Sequence, residues 1–192
     1  MSRFEDAIAA IDAANADDPN QIEVGGEWKP KELAHAALMT DWVLRLDPSA
    51  TEAQLLAARA HHLRRWSSPR SSYPDGRAGY LRWRTALRTQ HAEEVAGMLL
   101  KTGYDDATVA RVQTIIRKEG LGSDPQVQVH EDALCLVFLE TQLAVTTDDL
   151  GDEKMVEVIR KTAAKMSPAG LAHVALLAMR DHDRALIRRA LA

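Results

Sequence analysis

The chain has 192 residues, 46% of them apolar and 27% charged, the make-up of an ordinary globular protein long enough to bury a core. A formal net charge of -4 argues against a general nucleic-acid binder, DNA above all, because a phosphate backbone rewards a broad basic face. The single cysteine, Cys135, excludes a disulfide framework, and no apolar run is long enough to span a membrane.

Phe4, Ile8 and Ile11 recur at helical spacing and predict an amphipathic helix over residues 2–14. The acids of MSRFEDAIAA do not suit a signal peptide, so a reducing cytoplasm is the expected setting. Residues 16–20 stop the helix, and residues 21–29, with Gly25-Gly26, read as a loop or small hairpin. Pro30 suits the first turn of a second helix, which reaches about Leu46. Its face through His35 also carries Leu38, Met39 and Trp42, so His35 points inward.

Residues 47–49 break the chain, and Ser49-x-x-Glu52 reads as a capping box for a third helix that carries His61 and His62. Residues 67–76 hold too many breakers for regular structure. A long helix is expected over 77–102, stopped by Gly103. Asp105 caps a fifth, with Val109, Val112, Ile115 and Ile116 inside. Asp124-Pro125 opens a helix whose segment 134–139 is apolar on every side, as a helix in the middle of a molecule is. Three more are expected over 152–165, 168–179 and 183–192. No alternating strand is convincing, so the expected class is all-α, a single domain of about eight or nine helices.

His61 and His62 would point about 100° apart on a helix and could share a centre only in a cleft between helices. The alternative is one buried ring and one solvated ring. On the long helix, Arg77, Tyr80, Arg84 and His91 fall on one inward line, and inward guanidiniums need anionic partners, either carboxylates or a phosphate-bearing ligand. Between His62 and Arg84 stand six arginines, no lysine and one acid, Asp75, with Trp66, Tyr73, Tyr80 and Trp83 interleaved. That composition suits bidentate phosphate recognition; an arginine-rich packing loop is the alternative, and the overall acidity disfavours a long single-stranded RNA track. His130, Glu131 and Asp132 open the central helix, the two acids beside its apolar core faces. A carboxylate there needs a cation, a metal or hydrogen-bond donors. His173 and His182 read as a helix-face and a solvated histidine.

The run Ala57–Arg65, AARAHHLRR, resembles the metal-binding turn of the HD-domain superfamily, in which small residues precede a His-Asp dyad. His35 matches the superfamily's first histidine, QHAEEVAG around His91 resembles a later one, and Asp132-Ala133 resembles the last aspartate. These matches cover residues 31–140, taken as an HD-like core on which helices of 152–192 pack. The stretches RAHHLRRWSSPRSSYP, GYLRWR and HEDALCLVFLE are similar to a bacterial and fungal family of unknown function built on that core. His62 stands where the superfamily has aspartate, exchanging an oxygen ligand for nitrogen and shifting preference from magnesium towards zinc, iron, manganese or nickel.

The resemblance implies one divalent transition ion held by His35, His61, His62 and Asp132, and a phosphohydrolase acting on a small phosphorylated molecule such as a nucleotide. His91 and Glu131 would handle protons, while Arg65, Arg70, Arg77 and Arg84 clamp phosphate oxygens. Two other expectations share the scaffold: an iron oxygenase, and a non-catalytic module binding a phosphorylated ligand or short RNA.

Overall fold

The structure, a computed structural model, describes residues 2–192, which form ten α-helices, one β-hairpin and two short 3-10 turns. The class is all-α, with slightly more helices than the periodicity predicts. Helix α1 (Arg3–Ala16) starts at a capping box: Ser2 Oγ accepts from the Glu5 N–H, and the Glu5 carboxylate accepts from the Ser2 N–H. Strands β1 (Gln21–Val24) and β2 (Glu27–Pro30) pair antiparallel across Gly25-Gly26, both at positive φ, which glycine adopts without Cβ strain.

The hairpin leads straight into α2 (Lys31–Leu46), with Pro30 as its N-cap rather than its first-turn residue. Proline has no side-chain acceptor, so the buried Asp18 carboxylate caps instead, accepting from the Glu32 N–H at 3.0 Å. That bond sets where Glu32, and His35 one turn later, enter the interior.

Helix α3 (Glu52–Arg59) is capped by Thr51 and Gln54, not by Ser49 and Glu52. Both pairs fit the capping-box pattern, but Ser49 is taken by Asp47, which accepts from its N–H at 3.1 Å and its hydroxyl at 2.7 Å. The helix stops at Arg59, whose guanidinium donates twice to Asp12 at 2.6 Å. His61 and His62 therefore lie in the turn after the helix, not on it. Arg64, in the left-handed region at φ 50, closes this turn, and its N–H donates to Asn15 Oδ1 at 3.1 Å.

The breaker-rich stretch makes only the 3-10 turns Arg65–Ser67 and Arg70–Ser72. It presses onto α4 (Gly76–Lys101), where a Cβ on Gly79 would meet the Pro74 carbonyl oxygen at 1.8 Å. Helix α5 (Asp106–Arg117) ends at Lys118, a second non-glycine residue in the left-handed region, at φ 62. The central helix α6 (Pro125–Thr141) is capped by Asp124 and buries His130, Glu131 and Asp132. Then follow α7 (Leu143–Leu150), which periodicity did not predict, α8 (Asp152–Ala163), α9 (Pro168–Val174) and α10 (Asp181–Leu191). Helix α9 ends five residues earlier than expected, in turns.

Apolar side chains collect in two clusters. One joins α2 and α6 to the C-terminal helices through residues such as Met39, Leu136, Met155 and Ile187. The other joins α1, α3, α4 and α5 through Ile11, Leu56, Val95 and Ile115. Histidines from both sets of elements meet between them. Among the described residues no helix is long and apolar enough to cross a membrane.

Candidate functional site

Five imidazoles gather where the two clusters meet: His35 from α2, His61 and His62 from the turn after α3, His91 from α4 and His130 from α6. Ring centroids are 4.1 Å apart for His35 and His62, 4.5 Å for His61 and His62, 4.7 Å for His61 and His130, and 6.0 Å for His62 and His91. Irregular backbone at residues 60–64 makes this possible, because a turn frees the adjacent pair from the helical 100° separation.

The hydrogen bonds assign protons. Arg65 Nη1 can only donate, so His62 Nε2 accepts from it at 2.8 Å, and His62 Nδ1 donates to Glu32 Oε2 at 3.0 Å. His61 Nδ1 and His130 Nε2 share a hydrogen bond of 2.8 Å. The His91 ring bonds to the His61 backbone, while its Nε2, the Nδ1 of His130 and both nitrogens of His35 are buried without partners. Unsatisfied buried nitrogens in such a concentration are unusual and mark a place built to receive something.

Burial dominates the titration of every ring. It pushes His35 and His130 down to about 3 and His61 and His62 well below their ordinary value. His91 falls to about 4, through burial first and the Arg65 charge second. Burial raises Glu32 to about 7 against the pull of Arg65 and Lys31. All five imidazoles are thus neutral, the state in which a ring nitrogen offers a lone pair. One ligand atom each from Glu32, His35 and His62 lies within 4.8 Å of the others. A donor set rich in imidazole with one carboxylate fits a divalent transition ion better than magnesium.

Above the histidines opens a cleft of about 670 Å³, within the range of small-molecule sites. Arg65, Arg77, Arg84, Lys161 and Lys165 line it against one carboxylate, Glu131. Tyr80, Leu134 and Phe138 supply apolar wall. Arg77 and Arg84 have no carboxylate within ion-pair distance among the described residues; Arg84 donates to the Tyr80 hydroxyl at 3.2 Å. Arg65 lies over the Trp83 ring, 4.9 Å from its centroid.

Three expected site residues are placed otherwise. Asp132 is turned away from the histidines: Oδ1 accepts from the Ser167 N–H at 2.8 Å and from Gln128 Nε2 at 3.0 Å, and Oδ2 takes the Ser167 hydroxyl. It anchors the start of α9, and His130, two residues earlier, is the α6 side chain that reaches the cluster. Glu131 faces the cleft, but Lys118 and Lys165 neutralise it, so it holds cations rather than moving protons. Arg70 donates to the carbonyls of Tyr73 and Pro74 at 2.8 and 2.9 Å and braces its own loop instead of clamping a ligand.

The sequence pattern does not single out Glu32 or Lys118, and it places His130 at the start of the central helix without giving it a role. Glu32 had a signal, since Glu-x-x-His at residues 32–35 puts both side chains on one helical face. Lys118 had none, because nothing local announces a left-handed lysine aimed inward. His173, half-buried, packs edge-on against Trp42, and the exposed His182 bonds to Asp152.

Helical scaffold, histidine floor and cationic cleft together define an α-helical protein with a nitrogen-rich candidate metal centre. The family model described as a domain of unknown function, DUF4202, matches residues 5–187, and the chain belongs to that family. No curated protein and no solved structure matches it.

Proposed function

We propose that the protein is a metal-dependent phosphohydrolase acting on a small phosphorylated molecule, a nucleotide being the type that fits, and that it is a distant relative of the HD-domain superfamily. The observation that carries this reading is a cleft with five cations and one neutralised carboxylate, floored by neutral, partly unpartnered histidines. The order of His35, the His61-His62 turn and His91 supports the kinship, while His130 replaces the expected aspartate.

Glu32, His35 and His62 would hold the ion, with His61 beside them, once the His62 Nδ1 proton shifts to Nε2 and the Arg65 bond opens. Bound there, a divalent transition metal supplies Lewis acidity towards water and a phosphoryl oxygen. The chain's own groups do the rest. His91 Nε2, a lone pair with no partner, can take a proton from water. Arg77 and Arg84 hold phosphate oxygens by charge-assisted bonds, and Tyr80 and Phe138 pack the body of the substrate.

The test is elemental analysis of protein purified without chelator or added metal, followed by a hydrolysis assay over phosphate esters and nucleotides. About one transition ion per chain, with activity lost to chelator and restored by metal, is the expected result. A folded protein that carries no metal and hydrolyses nothing overturns the proposal in favour of a binding module. The Arg65–His62 bond favours that second reading, because it already occupies one of the lone pairs.

A further inference from the structure

A second, smaller cavity of about 30 Å³ adjoins the cleft, and His62, Arg65 and Arg84 line both. Its other charged walls are Arg88 and Lys118, with His61 and His91 beside them, and no carboxylate lines it. Elsewhere half-buried guanidiniums find carboxylates or carbonyls: Arg59 pairs with Asp12 and Arg111 with Asp124, while Arg70 and Arg184 donate to backbone oxygens. Around this cavity such acceptors are scarce. Among the described residues Arg65, Arg84 and Arg88 have no carboxylate within ion-pair distance, and the side-chain bonds they make are to His62 and the Tyr80 hydroxyl. The Nε of Arg88 is buried with no partner, as is Nε2 of His91, a residue 2% exposed. Lys118 is tied to Glu131 but keeps further N–H donors. Three uncompensated guanidiniums around one small space imply an anion.

We infer that this cavity seats the terminal phosphoryl group of a phosphomonoester, held by Arg84, Arg88 and Lys118, with the ester oxygen directed past Arg65 into the larger cleft. The inference rests on the hydrolase reading and narrows its substrate. The cavity, about 30 Å³, adjoins the cleft, so the unsubstituted oxygens of a phosphoryl head can enter it while phosphorus and the ester oxygen stay at its mouth. A diester carries a substituent on each side of phosphorus, and only one side opens onto the cleft. In the reaction, the oxygen of water bonds to phosphorus as the bond to the ester oxygen breaks. The proton taken up at His91 Nε2 passes to the departing oxygen, and the products are an alcohol and inorganic phosphate.

The first measurement titrates inorganic phosphate calorimetrically into chelator-treated full-length protein, wild type and Arg88→Gln. Arg88 makes no hydrogen bond within the fold, so thermal unfolding without anion should match wild type and certify the variant. Wild type should bind phosphate, and the variant roughly tenfold or more weakly, as loss of a charge-assisted bond implies. A nucleoside monophosphate should displace the phosphate; failure to do so would assign the cavity to the free ion and overturn the monoester assignment. No binding by wild type, or equal binding by the variant, overturns the cavity itself. The second measurement compares p-nitrophenyl phosphate with bis(p-nitrophenyl) phosphate on metal-loaded protein. Preference for the monoester, with KM raised by Arg88→Gln, supports the inference, and equal or faster cleavage of the diester overturns it while leaving the hydrolase reading intact. Arg88-dependent phosphate binding without any hydrolysis supports the cavity and removes the hydrolase reading instead.

Discussion

At the scale of single residues, His35 sets stability against function. Both its nitrogens are buried without partners, an unmet desolvation cost of about 1–3 kcal/mol while no ligand is bound. Leucine has nearly the same bulk and no polar atoms. His35→Leu should therefore be more stable than wild type in chelator, by about 1 kcal/mol in urea unfolding, and should carry no metal by elemental analysis. A variant that is less stable and still loaded would remove His35 from the site. Lys118 poses the opposite balance. Its left-handed backbone costs about 1–2 kcal/mol, whereas stripping the partner from a buried charge costs about 3–5 kcal/mol. Lys118→Gly relieves the first and incurs most of the second at Glu131, which is only 2% exposed and keeps only the longer Lys165 contact, at 3.5 Å. The pairing wins: the variant should lose about 2 kcal/mol, and adding Glu131→Gln should recover part of it.

Among the elements, α9 depends on one side chain from α6. Asp132 takes the N–H and hydroxyl of Ser167, the residue that caps α9, and a Cβ on Gly170 would lie 2.6 Å from the Asp132 Cγ. Asp132→Ala should loosen α9 and cost about 2 kcal/mol of stability, yet leave metal content unchanged. Gly170→Ala should also destabilise, since the added methyl meets that carboxylate. Loss of metal in Asp132→Ala at normal stability would return Asp132 to the ligand set. That a carboxylate at position 132 needs partners was legible in the apolar face around it. Which partners it found was not, because Ser167 is 35 residues away.

For the whole molecule, the clustered histidines govern acid stability. His35, His61, His62, His91 and His130 all have pKa values depressed by burial. In the unfolded chain each ring binds its proton near pH 6.5, while in the folded protein it does so only well below. The unfolded state therefore holds more protons as pH falls from about 6.5 to 4, so stability is present above that window and lost through it. Each ring contributes a slope approaching about 1.4 kcal/mol per pH unit, and together they can exhaust the stability of an ordinary domain within about two units. Glu32, raised to about 7, acts oppositely: its contribution is favourable below its unfolded value and is lost as pH rises towards 7. One carboxylate against five rings does not reverse the trend. Circular dichroism against pH should show cooperative unfolding near pH 5, shifted upward in chelator if a metal holds the rings neutral. A flat profile down to pH 4 would mean the rings are solvated.

Local chemistry alone determined most of the helices. Capping residues such as Ser2, Asp105 and Asp124, and stops such as Gly103, act over a single turn, so their signals are complete within a few residues of sequence. The inward direction of His35 and His91 was legible for the same reason, as periodicity carries a side chain's face. What the fold alone decided is long-range or irregular. The break at Arg59 put His61 and His62 in a turn, Asp18 placed Glu32, and α9 claimed Asp132. Whether a buried polar group becomes ligand, cap or counter-charge depends on which distant partner reaches it first, and packing of the two clusters settles that. Local propensity has no access to those distances.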